Sequence, residues 1–327
     1  MSTSSVTQLV GEDALPLVSI IICSFNHAHY LAEAIDSALH QSHPLIEVVV
    51  VDDGSVDETP QVAASFPGVT YLHQQNFGLA NARNRGLRAC KGSFVVFLDA
   101  DDRLLPGAIA TSLAAAMRRS TCAFVAGGYR LIDGKGDELL TRPAGKIVAS
   151  GYADLLRYNF IAMHGAVLYR RELLIVHGGF NERFSASEDY DVYLRLSRQH
   201  PFHVYDEVVA EYRQHGENMT RDVARMLIAA VAVLEAQHPY VFGHSLLQDA
   251  LDEGLAYYRS TYGRAVLRRA TKRLLRRSEW RIACSEAALV IKIAPRAFWS
   301  VIAVIVDRYC HRIGLNNVRS SPSTSGR

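Results

Sequence analysis

Short apolar runs rich in β-branched residues alternate with segments of helical spacing over the first hundred residues, and this alternation restricts the fold more than any other feature. The runs lie at residues 18–23, 46–51, 69–73 and 93–98. Each is too short for a buried helix and has the composition of a strand covered on both faces. Between them, apolar residues recur every three or four positions, as in amphipathic helices. The pattern predicts an α/β protein with a doubly wound, mostly parallel sheet flanked by helices.

Polar clusters follow three of these strands directly. They are Cys23-Ser24, Asp52-Asp53 and the acidic run that begins with Asp99-Ala100-Asp101. In open α/β sheets, ligands bind beyond the carboxyl ends of the strands. Asp99 and Asp101 are two residues apart, so in an extended chain both carboxylates point to one side and can share a divalent cation. The alternative is a surface turn, since Asp is frequent in turns.

The pattern of elements changes after about residue 120. Strands are predicted at 123–132 and 138–140 around a turn, then at 166–169, 202–204 and 208–212, with a helix at 190–198. After about residue 220 the chain is nearly all helical in pattern. The predicted organisation is therefore a flexible N-terminus (1–16), a catalytic domain (17–220) with halves 17–102 and 103–220, a basic helical region (221–318) and a disordered tail (319–327).

Composition narrows the class of protein. Apolar residues make up 49% of the 327 residues, which is ample for a packed core, and charged residues make up 21%. The five cysteines are scattered, odd in number and free of C-x-x-C spacing. This argues against a disulfide framework and against a zinc site. The first residues resemble no secretory signal, so a cytoplasmic location is expected.

Five motifs at these positions resemble one enzyme family. They are VSIIICSFN (18–26), VDDGSVD (51–57), QNFGLANARN (75–84), FLDADD (97–102) and SEDYD (187–191). In this order they resemble the family 2 glycosyltransferases over residues 17–220. The resemblance implies a GT-A fold, a nucleotide-activated sugar as donor, and inversion at the anomeric carbon of that sugar.

The same resemblance assigns residues to the donor. Asp53 would bind the pyrimidine base, with Cys23 and Ser24 beside the nucleotide and Asp99 near the ribose. A carboxylate accepts from the imide N–H that uracil and thymine have and cytosine lacks, and a UDP-linked donor is predicted. Arg83 would face the diphosphate, as guanidinium groups bind phosphate oxygens well. The alternatives are that Asp53 caps the turn at Gly54 and that Arg83 lies on a solvated helix face.

A divalent cation, Mn²⁺ or Mg²⁺, is the cofactor that the resemblance implies. Asp101 is the first predicted ligand and Asp99 the second, directly or through a water, and His215 would complete the shell. The cation would neutralise the departing nucleoside diphosphate. The alternatives are a structural role for His215 and a loop-capping role for Asp102.

Asp189 resembles the catalytic base of the family, and Glu188 would assist or orient it. An inverting transfer needs one carboxylate to take the proton from the acceptor hydroxyl. The alternative is an ordinary helix start, with Ser187 as the cap and acids in the first turn. His164 and the run 178–180 would shape the acceptor pocket, or simply form a turn.

The C-terminal region carries an excess of positive charge. Residues 259–281 hold nine Lys or Arg and one Glu, a local charge of +8 in a chain whose net charge is +2. We interpret residues 259–306 as an interfacial anchor on an anionic membrane, such as the inner face of the cell membrane. The alternative is a helical cap packed on the catalytic domain. Nucleic acid is not an expected partner, because no recognised binding motif accompanies the charge.

The resulting prediction is an inverting, metal-dependent glycosyltransferase. It would move a sugar from a nucleoside diphosphate donor to a hydroxyl of a glycan or lipid-linked acceptor. A sugar-phosphate nucleotidyltransferase is the alternative enzyme, but it would show a glycine-rich basic loop after the first strand, where residues 24–27 read SFNH. A non-catalytic, membrane-associated protein that binds nucleotide sugars is the alternative from another class.

Overall fold

The computed structural model describes residues 15–142, 151–216, 218–275 and 279–312. The chain divides into two compact units. The first comprises the residues up to Leu155 together with Asn159–Asn218, and the second comprises Leu156–Tyr158 and the residues from Met219 onward. The predicted tail at 319–327 lies outside the described residues, as do residues 1–14 of the predicted flexible N-terminus.

The first unit is built on one mixed sheet. Its strands are β1 (Val18–Ser24), β2 (Ile46–Asp52), β3 (Thr70–His73), β4 (Phe94–Asp99), β5 (Arg103–Leu104), β6 (Phe124–Asp133), β7 (Glu138–Arg142), β8 (Val167–Arg170) and β9 (Phe202–Gln214). Within the described residues the order is β3-β2-β1-β4-β8-β6-β9-β5, and β7 pairs with β6. The four predicted strands of the first hundred residues are thus confirmed to within a residue or two.

Strand direction separates the two halves of the sheet. The β1/β2, β2/β3 and β1/β4 pairs are parallel, so β1 to β4 all end at one edge. The second half is mixed, with β8 antiparallel to both β4 and β6, and with β6 and β9 parallel. The predicted fold class, an α/β protein with flanking helices, is confirmed.

Helices connect the strands of the first half. The connecting helices are α1 (Ala28–Leu39), α2 (Thr59–Ala64) and α3 (Leu79–Ala89). Later in the first two hundred residues come α4 (Ala108–Met117), α5 (Tyr152–Arg157), α6 (Arg171–Val176) and α7 (Glu188–Ser197). In α1 the buried side chains include Leu31, Ala34, Ile35 and Ala38, which are spaced to form one face. Because α7 begins at Glu188, the two predicted acids at 188 and 189 lie in its first turn.

The core explains why β1 and its neighbours are so apolar. All seven residues of β1 are buried, and Ile20, Ile21 and Ile22 have no exposed surface. A strand at the centre of a parallel sheet is covered by helices on both faces, so it has no solvent side on which to alternate polar residues. The central strands therefore hold the loops at their carboxyl ends on a rigid base.

Residues 202–214 form one strand, β9, so the prediction of two strands at 202–204 and 208–212 is wrong. The register against β6 shifts, since Ala126 pairs with Val204 but Gly128 pairs with Val208. β9 therefore bulges opposite Gly127 rather than breaking. A Cβ atom at position 127 would lie 2.8 Å from the Tyr205 ring and 2.9 Å from the carbonyl of Glu207. Glycine is required there because the bulged backbone approaches so closely.

The second unit is helical, as its sequence predicts. Its helices are α8 (Val223–Glu235), α9 (His238–Val241), α10 (Ser245–Leu275), α11 (Trp280–Ile293) and α12 (Pro295–Arg312). Among the described residues no single helix is both long and apolar enough to cross a membrane. The segments Trp280–Ile293 and Pro295–Val304 reach that threshold only as a pair, and the pair is bent by 118°.

The Gly127→Ala variant should be destabilised by about 1–3 kcal/mol, because its methyl group must displace the β9 bulge. Denaturant unfolding followed by circular dichroism measures the loss. Gly151→Ala is the matched control, since nothing lies within 4 Å of a Cβ atom at that position. Equal stability of the two variants would contradict the bulge interpretation.

Candidate active site

The end of β1 lies between two acidic loops. Cys23 pairs in register with Asp99 of β4, and Ser24 pairs with Asp52 of β2. The Cys23 carbonyl accepts from the Ala100 N–H at 3.2 Å, and the Ser24 carbonyl accepts from the Asp53 N–H at 2.9 Å. The backbone of one strand therefore positions two loops side by side, which we call the DDG loop (residues 52–54) and the DAD loop (residues 99–101).

Cys23 and Ser24 are themselves buried at this strand end. Cys23 is 6% exposed, and burial raises the pKa of its thiol to about 12, so it is neutral at physiological pH. Within the described residues the Ser24 hydroxyl has no hydrogen-bond partner, although it is buried. Buried hydroxyls without a partner are uncommon, which makes Ser24 the more informative of the two predicted nucleotide contacts.

The carboxylate of Asp53 is held by the loop that leads into α3. One oxygen accepts from the Gln74 amide at 2.7 Å and from the Phe77 N–H at 2.9 Å, and the other accepts from the Gly78 N–H at 2.9 Å. Asp53 therefore caps the loop at 77–78 rather than the turn at Gly54. Its second oxygen, with one protein donor, retains a lone pair for a ligand.

Asp52 is a structural residue of the same loop, as the sequence predicts. Its carboxylate accepts from the Ser55 N–H at 2.8 Å and from the Tyr71 hydroxyl at 2.6 Å. Burial and the Asp52 carboxylate raise the pKa of Tyr71. This network ties the end of β2 to β3.

Hydrogen bonds also join the loop after β1 to the loop after β2. The Asn26 N–H donates to the Ser55 hydroxyl, and the Val56 N–H donates to the Asn26 amide oxygen, both at 2.9 Å. Asn26 has a left-handed backbone, with φ of 57°. Asp57 accepts from the Ala28 N–H at 2.9 Å and so binds the first turn of α1.

Arg83 is buried between two carboxylates. It is 2% exposed, and its guanidinium donates to Glu188 at 2.5 Å and to Asp99 at 2.8 Å. Burial alone would lower its pKa, but the charges of Asp99 and Glu188 raise it, so the group stays charged. The alternative of a solvated helix face is wrong. Arg83 instead joins α3, β4 and α7 at one point.

Asp189 follows Glu188 in the first turn of α7. It is half-buried, and one carboxylate oxygen accepts from the Tyr190 N–H at 2.8 Å. Burial and the neighbouring Glu188 carboxylate raise the pKa of Asp189 to about 7. A carboxylate with such a pKa can both accept and release a proton near neutral pH, as a general base must.

The start of α7 is not an ordinary capped helix end. Ser187 is at the N-cap position, but its backbone is left-handed (φ 58°) and its side chain makes no capping hydrogen bond. Such a conformation costs about 1–3 kcal/mol for a residue with a side chain and tends to occur at functional sites. The alternative in which Ser187 is a conventional cap is therefore wrong, whereas the acids in the first turn are present as predicted.

The DAD loop meets the end of β9 at Asp101. The Asp101 carboxylate lies 2.8 Å from His215 Nε2, and the Asn218 amide lies 3.4 Å from the same oxygen. Asp102 accepts from the Arg213 N–H at 2.8 Å and caps the loop, and burial together with the Asp101 and Asp99 charges raises its pKa. Two predicted metal ligands that are 114 positions apart in the chain are thus adjacent.

The donor set at this point suits a hard divalent cation. Asp101 and Asp99 offer carboxylate oxygens, and His215 offers an imidazole nitrogen. Mn²⁺ accepts both kinds of ligand, whereas Mg²⁺ prefers the oxygens. One carboxylate oxygen of Asp99 accepts from Arg83, and the Asp99 side chain is 37% exposed. Among the described residues no three His, Cys, Asp or Glu side chains are already grouped around one point as a metal cluster. The residues fit the predicted cation by chemistry, with Asp101 and His215 as the preformed pair.

His164 lies inside the aromatic core. It is 6% exposed, stacks on Phe97 with ring centres 5.4 Å apart, and contacts the Tyr169 hydroxyl through Nε2 at 2.8 Å. Burial and the charge of Arg83 lower its pKa well below the ordinary value, so the ring is neutral. The structure gives His164 a packing role and no exposed face toward an acceptor.

Comparisons with known proteins show the family of the chain. The family model described as "Glycosyl transferase family 2" matches residues 19–178. An uncharacterized glycosyltransferase of Rickettsia prowazekii is 32% identical over 217 residues, which cover 65% of this chain and 68% of that protein. The chain belongs to glycosyltransferase family 2.

Other relatives in this family are longer. Chondroitin synthase of Escherichia coli is 32% identical over 214 residues, which cover 62% of this chain but only 30% of that enzyme. The chain therefore matches less than a third of the length of that relative.

Solved structures identify the fold as the GT-A type. TarS of S. aureus (residues 1–349, in complex with UDP-GlcNAc) has a TM-score of 0.60 at 20% identity, covering 75% of this chain and 73% of that one. A mannosyltransferase of Pyrobaculum calidifontis, in complex with GDP-Man and Mn²⁺, has a TM-score of 0.55 at 22% identity, covering 87% and 88%.

Two residues that position the candidate site, Arg213 and Asn84, were not predicted from the sequence. Arg213 is fully buried and donates to the Asp101 carbonyl at 2.8 Å and to Glu33 at 2.7 Å. Asn84 exchanges two hydrogen bonds of 2.8 Å with the Phe180 backbone and so fixes the chain ahead of α7. Asn84 was visible as part of the QNFGLANARN motif, whereas nothing in the sequence marks Arg213 as buried.

Replacing Arg83 with Met should lower the free energy of unfolding by about 3–5 kcal/mol, because Glu188 then remains buried without a partner. Denaturant unfolding measures this loss. The double variant Arg83→Met/Glu188→Met should recover part of it, since both charges leave the interior together. Arg88→Met, on the exposed side of the same helix, should stay within about 0.5 kcal/mol of the parent. A loss no larger at Arg83 than at Arg88 would contradict the buried bridge.

Proposed function

We propose that the chain transfers a sugar, with inversion, from a nucleoside diphosphate sugar to a hydroxyl of a glycan or lipid-linked acceptor. The observation that carries the proposal is the buried bridge from Asp99 through Arg83 to Glu188. It brings the first turn of α7, with Asp189, beside the DAD loop. A group able to accept a proton thus lies next to the carboxylates expected to hold the leaving group.

A UDP-linked donor is the proposed substrate class. The free lone pair on Asp53 suits the imide N–H of uracil. At the adjacent strand end, the buried Ser24 hydroxyl has no partner among the residues that the structure describes. The TarS neighbour was solved with UDP-GlcNAc, whereas the archaeal mannosyltransferase was solved with GDP-Man. Both donors are nucleoside diphosphate sugars, and the imide N–H, which uracil and thymine have and cytosine lacks, favours a UDP-linked donor over a CDP-linked one.

The proposed reaction is a single displacement. Asp189 takes the proton of the acceptor hydroxyl while that oxygen forms a bond to C1 of the sugar. The bond from C1 to the diphosphate oxygen breaks on the opposite face, so the configuration at C1 inverts. The proton ends on Asp189 and the electron pair on the nucleoside diphosphate.

Asp101 and His215, with Asp99, are the residues proposed to hold a Mn²⁺ or Mg²⁺ ion. Such an ion supplies Lewis-acid neutralisation of the charge on the diphosphate. Arg83 binds Asp99 and Glu188, so the spacing between the DAD loop and the first turn of α7 is fixed before substrate arrives. This preorganisation lowers the cost of aligning donor and acceptor.

The Asp189→Asn variant should retain donor affinity and lose transfer by at least about 10²–10⁴-fold, since the amide cannot accept the proton. Donor affinity is measured by calorimetry and transfer by release of nucleoside diphosphate. The exposed Glu172→Gln variant is the control and should transfer at the parent rate. Near-normal turnover of Asp189→Asn would rule out this residue as the base.

The pH dependence of transfer gives a second test of Asp189. Because its pKa is raised to about 7, the carboxylate is protonated and inactive below that pH. The rate of the parent enzyme should therefore fall roughly tenfold for each pH unit below about 7 and level off above it. A rate that stays constant down to pH values near 5 would contradict the assignment.

The Asp101→Ala variant should lose the enhancement of donor binding by Mn²⁺, because it removes one half of the Asp101–His215 pair. Calorimetric titrations of UDP with and without Mn²⁺ measure this effect. Asp137→Ala, an exposed carboxylate in a turn, is the control and should bind as the parent does. Identical Mn²⁺ dependence in parent and Asp101→Ala would remove the metal assignment.

The products distinguish this function from the alternatives. A glycosyltransferase releases nucleoside diphosphate, whereas a nucleotidyltransferase consumes nucleoside triphosphate and releases pyrophosphate. A binding protein without catalysis releases neither. A screen of nucleoside diphosphate sugars by thermal shift identifies the donor first, because a ligand that prefers the folded state raises the melting temperature.

A further inference from the structure

Between Trp280 and Val304, the acidic side chain is buried and the basic side chains are exposed. The sequence from Trp280 to Val304 contains one acidic residue, Glu286. Glu286 is buried and binds Arg269 at 2.7 Å and also Arg273, both on α10. The basic residues of the same stretch, which are Arg281, Lys292 and Arg296, are exposed. Between Trp280 and Val304 the exposed charged side chains are therefore all basic.

Large apolar side chains of the same two helices are exposed as well. Trp280 is 59% exposed, Trp299 is 66% exposed and Ile291 is 50% exposed. On α11, Ala283, Glu286 and Val290 are buried, whereas Trp280 and Ile291 are exposed. Folding alone gives no reason to expose two tryptophans beside three basic residues.

We infer that these exposed side chains bind an anionic lipid surface. We define them as the Trp face: Trp280, Arg281, Ile291, Lys292, Arg296 and Trp299. Interfacial helices place Trp and aliphatic side chains at the headgroup boundary, while Lys and Arg attract anionic lipid. The sequence predicted an anchor somewhere in 259–306, and the inference narrows it to six exposed side chains on α11 and α12.

The lipid occupant is favoured by charge and by residue type. A protein partner of the same area would need acidic groups matched to Arg281, Lys292 and Arg296, whereas an anionic bilayer supplies negative charge at any position. The Arg281 guanidinium lies 5.5 Å from the Trp280 ring centre, so charge and aromatic surface are presented together. The inference rests on the helical unit and is independent of the proposed function.

The two tryptophans report on binding directly, because they are the only two in the sequence. The full chain is mixed with vesicles of phosphatidylcholine, alone or with phosphatidylglycerol, and Trp emission and sedimentation are recorded. We expect a blue shift of emission and co-sedimentation with the anionic vesicles only. Added salt should weaken the binding by screening.

Matched variants separate the Trp face from general positive charge. Arg281→Gln/Lys292→Gln/Arg296→Gln should weaken vesicle partitioning roughly fivefold per residue, or about 100-fold in all. Arg264→Gln/Arg268→Gln/Lys272→Gln removes the same charge from exposed positions on α10 and should weaken it far less. Equal losses in the two triple variants would overturn the assignment to this face.

A second pair of variants tests the apolar part by sedimentation. Trp280→Ala/Trp299→Ala should abolish binding, whereas Phe242→Ala, an aromatic residue that is 82% exposed in the same unit, should bind as the parent does. Circular dichroism and donor binding verify that each variant is folded. Absence of parent binding to anionic vesicles, or a blue shift that depends on protein concentration without vesicles, would refute the lipid assignment.

Discussion

The arrangement of the site depends on the buried guanidinium of Arg83. Arg83 reaches from α3 to Asp99 at the end of β4 and to Glu188 at the start of α7, and little of the guanidinium meets water. Isolated buried charges are costly, so the buried Glu188 carboxylate depends on Arg83 as its partner. Asp99 is partly exposed, and its ion pair with Arg83 orients it. The arrangement couples the strand that carries the DAD loop to the helix that carries Asp189. It also sets the local potential, in which Glu188 raises the pKa of Asp189 and Arg83 lowers it.

A second buried arginine performs the same task on the other side of the DAD loop. Arg213 has no exposed surface, and its guanidinium lies 4.6 Å from the Tyr30 ring centre while it donates to the Asp101 carbonyl and to Glu33. Its backbone N–H holds Asp102. The loop that offers Asp99 and Asp101 is therefore fixed from both directions, by Arg83 at one end and by Arg213 at the other. Preorganisation of this kind is what a displacement reaction requires.

The sequence predicts those features of the structure that depend on neighbouring residues in the chain, and it misses those that depend on distant ones. The four strands of the first hundred residues were predictable, because burial on both faces leaves only β-branched and apolar side chains in each run. β9 was predicted as two strands, because a bulge over Gly127 keeps residues 205–207 in one strand and no local pattern marks a bulge. Likewise Asp53 could be identified as important, but its three donors, from residues 74–78, could not.

The amino-acid sequence by itself determined the alternation of strand and helix, the order of the polar motifs and their position at the ends of parallel strands. These follow from side-chain periodicity and from the geometry of a parallel sheet, which are local properties of the chain. Only the tertiary structure decided which charges meet. Arg83 and Glu188 are 105 residues apart, and Asp101 and His215 are 114 apart, so their pairing is set by how the elements pack. Burial then fixed their chemistry, because the cost of removing a charge from water depends on every neighbour and not on the residue alone.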